Sequence, residues 1–288
     1  MDSGINSRGY RRARIQTILV NVASVAFVGI VFVFLYSPLV VTALFSFNPS
    51  EIQGLPIRGL TSHWYRELWG NGPLKEAALY SVKLSCVTVF VGVVFGTWFA
   101  LLVDRHVKRG SALLQSVLAI PVMVPGIVLG ISLLMVFKLA GLSPGFFTIM
   151  IGHSTFVTPI IMFIVLTRLR TMDPSLEQAS LDLGAGPIRT FWHVTLPYVR
   201  GALFAGCLLG FTVSFDEIIV TFFLSGVDVT LPVYVWNQLR FGFTPEVNAI
   251  FTVIGLVSFL LIVVATGVLT SGGRRRRGGR GLLQEDRT

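Results

Sequence analysis

Six stretches of this sequence are apolar for long enough to cross a bilayer as helices: 17–45, 76–103, 111–139, 146–168, 201–224 and 247–270. A spanning helix needs about 20 largely apolar residues, because hydrocarbon offers no water to satisfy an irregular backbone. Whole-chain composition agrees: 53% of the 288 residues are hydrophobic and the mean hydropathy is +0.76, too apolar for a soluble domain with a polar surface. The fold expected is an all-α integral membrane protein with six transmembrane helices.

Only 13% of residues are charged, yet the formal net charge is +9, so the position of the excess decides its meaning. Arg8, Arg11, Arg12, Arg14, Arg105, Lys108, Arg109, Arg170, Arg189, Arg200 and the Arg274–Arg277 run fall in the tails and in the 104–110 and 169–200 connections. The alternate connections, 46–75, 140–145 and 225–246, hold only Arg58, Arg66, Lys75 and Arg240. Cytoplasmic loops carry the Lys/Arg excess, so both termini and the 104–110 and 169–200 loops are expected in the cytoplasm. The apolar run behind the N-terminal arginines is too long for a cleavable signal, and a retained first span is expected. The Arg274–Arg277 run follows a span directly and reads as a topology anchor near anionic lipid, not as a nucleic-acid site. In the 46–75 loop, Trp64, Tyr65 and Trp69 suit either the membrane interface or contact with an external protein.

Cys86 and Cys207 each lie in an apolar run and read as small hydrophobes. The histidines, His63, His106, His153 and His193, are scattered without metal-ligand spacing, so no metal site is expected. His153 beside Ser154 invites a base-and-nucleophile reading, but sequence neighbours make a poor triad, and a packing or hydrogen-bonding histidine is expected instead. Lys83 and Lys138 lie near span ends and can snorkel to the interface.

The least apolar long connection runs from Thr171 to Arg200 and has the punctuation of two short helices. Asp173 and Pro174 offer a cap and a first-turn proline. Leu176, Ala179 and Leu183 then share a face. Gly184 and Gly186 stop the first helix, Pro187 starts a second that runs through His193, and Pro197 marks its end. With Glu177 and Asp182 exposed, such a helix fits a groove in a partner protein, or rests as a linker on lipid headgroups. Glu177-Gln178-Ala179, Gly184 and Val194-Thr195-Leu196-Pro197 resemble the EAA loop of binding-protein-dependent ABC importer permeases: E-A-A, three residues, Gly, nine residues, a branched apolar residue, one residue, Leu-Pro. Gln178 stands where the first alanine is usual. The resemblance implies a type I ABC importer permease architecture, with residues 76–270 as the transport module, 1–75 as an added tail, span and external loop, and 271–288 as a basic tail. It implies an ATPase-coupling role for Glu177, Ala179, Asp182, Gly184, Ala185, Leu196 and Pro197. It also implies a second permease chain, two ATPase subunits that carry the ATP and Mg, an extracytoplasmic solute-binding protein, and a place in the bacterial inner membrane. The chain itself has no phosphate-binding loop, so no cofactor is expected on it.

The 214–220 run Ser-Phe-Asp-Glu-Ile-Ile-Val, Leu231-Pro232, and Pro245-Glu246-Val247-Asn248-Ala249 resemble the second permease subunit of spermidine/putrescine importers, with other small solutes (amino-acid-like, phosphonate, opine) as alternatives. Asp216 lies about 22 Å along a helix from Gly201 at 1.5 Å rise per residue, inside the span. A charge at mid-bilayer costs about 2.5–3.5 kcal/mol on insertion scales, so Asp216 and Glu217 are expected to face a cavity or a partner. Either they line a solute pathway with Phe215, Phe222 and Phe223 as cation–π partners, or they fix helix packing. As consecutive helical residues they are expected about 100° apart. Two other function classes compete with the importer permease: an intramembrane enzyme using Asp216, Glu217 or His153, and a self-sufficient transporter or channel, which has no need of an EAA loop.

Overall fold

The computed structural model describes residues 7–50, 54, 56–57, 59–107, 110–241, 245–256 and 259–260, with side chains from residue 16 onward. Arg58, Lys108, Arg109, the Arg274–Arg277 run and the 271–288 tail lie outside the described residues, as does the last part of the expected span 247–270. All regular secondary structure among the described residues is helical, and the chain divides into two units, Met1–Gly70 with Gly242–Thr288, and Asn71–Phe241.

In the first unit, α1 (Ser7–Phe45) contains a 30-residue apolar span, Gln16–Phe45. Every side chain from 16 to 41 is exposed, as expected of a helix whose solvent is lipid. The chain then turns into α2 (His63–Gly70). Trp64 is buried, with Nε1 donating to the Asn48 carbonyl at 2.7 Å, and the Tyr65 hydroxyl lies 2.6 Å from Ser46 Oγ. Two of the three loop aromatics are therefore spent on tying α2 to the end of α1, and Trp69 is exposed. Pro245–Leu256 forms a shorter apolar helix.

The second unit is built on α3 (Gly72–Arg105), α6 (Phe146–Leu169) and α9 (Leu196–Asp216). Its core joins Leu84, Ala100 and Val103 of α3 to Val157, Ile161, Met162 and Val165 of α6 and Val199 of α9. Apolar burial gains little against lipid, so helices associate in membranes by close packing at small residues. Here α6 runs between two such faces. A Cβ on Gly96 would lie 2.9 Å from the Thr158 carbonyl oxygen, and one on Gly92 2.9 Å from Val157 Cγ1. On α9, a Cβ on Gly210 would lie 3.0 Å from the same Val157 Cγ1 and one on Gly206 3.4 Å from Ile161 Cγ2.

Two of the expected spans are not single straight helices. The 111–139 stretch is α4 (Ser111–Met123) followed by α5 (Gly126–Leu139), bent by 100°. Pro125 has no N–H to continue α4, and it holds Val124 extended at φ −73°, ψ 134°. The 201–224 stretch ends as α9 at Asp216, passes through extended Glu217 (φ −72°, ψ 117°) and resumes as α10 (Ile219–Leu224). The two shortened segments pack on each other: a Cβ on Gly130 of α5 would lie 2.8 Å from Phe223 Cδ2 of α10. After α10 the chain enters α11 (Leu231–Phe241), whose first N–H donates to Ser81 Oγ of α3 at 2.7 Å. By length and composition, four described helices can cross a membrane, or up to five if the bent pair is one span.

Candidate functional site

Between α6 and α9 lie α7 (Ser175–Asp182), α8 (Pro187–Thr190) and a π-helical turn, Phe191–Thr195, that runs directly into α9. Asp173 opens α7, its Oδ1 accepting from Ser175 N–H at 2.9 Å. This hydrogen bond favours the ionised form and holds the exposed Asp173 carboxyl below its ordinary range. Gly184 ends the helix in the left-handed region, φ +83°, as its place at the stop suggests. Its N–H donates to the Leu181 carbonyl at 2.9 Å and Ala185 N–H to that of Ser180 at 3.1 Å. This pair of reversed bonds is a Schellman motif, which satisfies the last carbonyls of a helix.

Pro197 does not end the second short helix. It occupies the first turn of α9, and Leu196 N–H donates across five residues to the Phe191 carbonyl. The wider π register accommodates the N–H that Pro197 lacks, so α8, the π turn and α9 continue as one rod, Pro187–Asp216.

Glu177 is not on the open face of α7. Its Oε1 is ion-paired with Arg105 Nη2, the last residue of α3, and accepts from Thr195 Oγ1 at 2.6 Å. Arg105 Nη2 also donates to Thr195 Oγ1 at 3.1 Å, which closes a triangle. Gln178, Ala179 and Asp182 are exposed, as are Leu176, Leu181 and Leu183, the last at 88% of its surface. The register of the EAA pattern agrees with this division. Counted back from Gly184, three residues are Leu181 to Leu183, so the triplet falls on Gln178-Ala179-Ser180 and not, as expected, on Glu177-Gln178-Ala179; Gln178 then stands at the glutamate position and Glu177 precedes the motif. Neither Arg105 nor Thr195 is marked as functional by sequence: one reads as a topology charge and the other as an unassigned motif position.

The second group sits at the other end of α9, about 30 Å away along its axis at 1.5 Å per residue. Because the helix stops at Asp216, the two acids are not the consecutive helical residues expected from the uninterrupted run. Glu217 Oε1 accepts from Val220 N–H at 2.9 Å, capping α10, and the Glu217 carbonyl accepts from Thr221 Oγ1 at 2.8 Å. His153, fully buried on α6, spans the break, with Nδ1 2.9 Å from Ser214 Oγ on α9 and Nε2 2.9 Å from Thr221 Oγ1 on α10. Thr221 spends its hydrogen on Glu217 and so accepts from Nε2–H, which in the neutral imidazole leaves Nδ1 to accept from Ser214. The neighbour that suggested a nucleophile, Ser154, instead donates to the Met150 carbonyl at 2.7 Å.

Asp216 is exposed, with no cation in ion-pair range among the described residues. Phe215 next to it stacks on Phe211 at 5.7 Å between centroids. Phe222 is exposed and meets Phe223 edge to face at 5.6 Å, while Phe223 itself packs against α5. Ser214 and Thr221 are further site residues, signalled in the sequence only as hydroxyls in an apolar run. Lys83 Nζ lies 5.3 Å over the Phe146 ring near the start of α6.

Comparison with known proteins places this architecture. The profile of the binding-protein-dependent transport system inner membrane component family matches residues 92–278. The chain is 33% identical over 241 residues to the spermidine/putrescine transport system permease protein PotC of Haemophilus influenzae, covering 83% of this chain and 93% of that one. It is also 33% identical over 241 residues to the putrescine transport system permease protein PotI of Escherichia coli, covering 80% and 85%. Among solved structures, a bacterial ABC transporter involved in import of the polysaccharide alginate superposes with TM-score 0.71 at 15% identity, covering 93% of this chain and 99% of that chain. The MetNI methionine ABC transporter superposes with TM-score 0.57 at 18% identity, covering 69% and 94%. The chain belongs to the binding-protein-dependent transport system inner membrane component family, and it is an inner-membrane permease subunit of an ABC importer.

Proposed function

We propose that the solute carried by this permease is a polyamine and that Asp216 is the carboxylate it meets in the membrane. The observation that carries the reading is the difference between the two acids: Glu217 is committed to capping α10, whereas Asp216 is exposed at the open end of α9 beside Phe215 and Phe211. A multiply charged amine loses hydration inside a membrane pathway, and an unpaired carboxylate with aromatic faces replaces it. Identity to permeases named for spermidine and putrescine supports the same assignment.

The working assembly pairs this chain with a second, different permease chain. Two ATPase subunits dock on the cytoplasmic face at α7, and a solute-binding protein delivers from outside. ATP and Mg belong to the ATPase subunits, and residues 76–270 carry transport, with both termini and the 171–200 segment cytoplasmic. Gln178, Ala179, Asp182 and Leu183 offer the docking face; Gly184 and Ala185 end it, and Leu196 and Pro197 pass its movement into α9. ATP favours one of two arrangements of the spans, and transport follows from the shift in population.

The test is ATP hydrolysis by the reconstituted complex with its binding protein, against polyamines, amino acids, phosphonates and sugars. Stimulation confined to polyamines is expected. Stimulation by another class, with none by spermidine or putrescine, overturns the assignment.

A further inference from the structure

We infer that Arg105, Glu177 and Thr195 form the joint through which movement of α7 reaches α3 and α9, with Glu177 facing inward as a transmission residue. This rests on the reading that α7 docks an ATPase subunit. The three side chains come from the end of one span, the first turn of the docking helix and the residue before another span. They converge on one oxygen, Glu177 Oε1, which accepts from both Arg105 and Thr195.

An exposed ion pair between mobile side chains transmits little, because water and entropy loosen it. This one differs. Its side chains are 30% and 25% exposed, Thr195 is fully buried, and both bonds to the carboxylate are charge-assisted. Among the described residues, Arg105 to Glu177 is the side-chain hydrogen bond that links α7 to α3. On its other side α7 is held to α8 by Ser180 Oγ and Thr190 Oγ1, 3.0 Å apart, a contact between neighbours in the same segment. Without Arg105, a push on α7 still moves α8 but has no bonded route to α3. The π turn supplies the second route, since it faces Thr195 toward Glu177 at the point where the rod becomes α9.

The experiment uses the purified complex with its ATPase subunits and binding protein in proteoliposomes, with radiolabelled spermidine as the probe. Arg105→Gln is expected to retain the ATPase subunit and basal hydrolysis, while losing stimulation by the loaded binding protein, with uptake falling in step. Coupling between sites is typically about 5–150-fold, so a loss of about fivefold or more is expected. Arg105→Lys keeps the charge and is expected to restore part of the stimulation, which a merely structural arginine gives no reason for. Thr195→Val removes one bond and is expected to give a smaller loss in the same direction; it also serves if the Arg105→Gln chain fails to fold and reach the membrane. Wild-type stimulation and uptake in both Arg105→Gln and Thr195→Val overturn the joint. Loss of the ATPase subunit in Arg105→Gln also overturns it, since the triangle then holds docking and not transmission. Leu183→Asp distinguishes the underlying reading: if it keeps the ATPase subunit bound, docking at α7 is wrong whatever Arg105 does.

Discussion

His153 Nε2 lies 2.9 Å from Thr221 Oγ1, and this contact, with its counterpart to Ser214, holds together two helices that the chain itself has separated. The hydrogen-bonded backbone of α9 stops at Asp216, and α10 begins three residues on. In a bilayer such a break needs its backbone groups satisfied from within the protein. Glu217 and Thr221 supply this locally, and His153 ties the side chains of Ser214 and Thr221 across the break from the neighbouring helix.

His153→Leu should lower the thermal unfolding midpoint of the detergent-solubilised protein, because Ser214 is left buried without its partner. A stranded buried polar group costs about 1–3 kcal/mol. Adding Ser214→Ala to His153→Leu should recover part of the loss, since neither partner then remains unpaired. Equal midpoints for His153→Leu and wild type remove the bridging role.

Asp216→Asn should raise the solute concentration needed for half-maximal uptake while leaving assembly intact. Glu217→Gln keeps an acceptor for Val220 N–H and should transport close to normally; Glu217→Ala removes the cap and should impair folding or rate more than Gln does. Uptake curves for the three variants decide it, and an unchanged Asp216→Asn curve defeats the pathway assignment.

Gly184→Val should abolish uptake with the protein still in the membrane, while Gly184→Asn should be milder. The reason is conformation and not space: φ is +83° and nothing lies within 4 Å of a Cβ there. Left-handed backbone costs most residues roughly 1–2 kcal/mol, and Asn tolerates it better than a β-branched side chain. Similar uptake by the two variants contradicts the argument.

At Gly96 the limit is space. A Cβ there meets the Thr158 carbonyl at 2.9 Å and the Met162 nitrogen at 3.1 Å, both backbone, whereas a Cβ on Gly206 meets side-chain carbon at 3.4 Å. Gly96→Ala should therefore destabilise by about 1–3 kcal/mol, the usual cost of overpacking, and Gly206→Ala by less, as read from their unfolding midpoints. The reverse order is inconsistent with α3 and α6 packing backbone to backbone.

Protease protection of α7 should fall in acid. Asp173 binds Ser175 N–H as a carboxylate, so its folded pKa lies below the ordinary 3.8. The stabilisation is complete above that ordinary value and is lost as pH drops through the lower folded one. Asp173→Asn should show no such acid-dependent change in cleavage within 171–186, and a variant with the wild-type pH profile refutes the cap.

Spans, breaks and the surroundings of α7 were unequally legible in the sequence. Apolar length marks α1, α3 and α6 because lipid demands it, but the same criterion made one span of 111–139, where Pro125 bends α4 from α5. The break at Glu217 was not legible: no Gly or Pro marks it, and its cause is a cap from Glu217 and hydroxyls paired with a histidine 61 residues from Ser214 and 68 from Thr221. Gly184 announced its own backbone. Glu177 did not announce its partner, since Arg105 lies 72 residues away and helical periodicity cannot say which acid turns inward. The same limit hid the glycine faces of α3 and α9, which look like ordinary apolar sequence until α6 is placed between them.

The five-residue π turn at Phe191–Thr195 makes chain length, and not only composition, a determinant of how this protein assembles. A π turn holds one residue more than the α-helical turn it replaces, and one residue is about 100° of rotation around a helix with 3.6 residues per turn. Removing a single residue there is compatible with an unbroken helix of similar hydropathy, yet it would swing Gly206 and Gly210 off the side of α9 that meets Ile161 and Val157. Between relatives, an insertion or deletion at this point therefore cannot drift as it does in a surface loop; it re-aims a whole span.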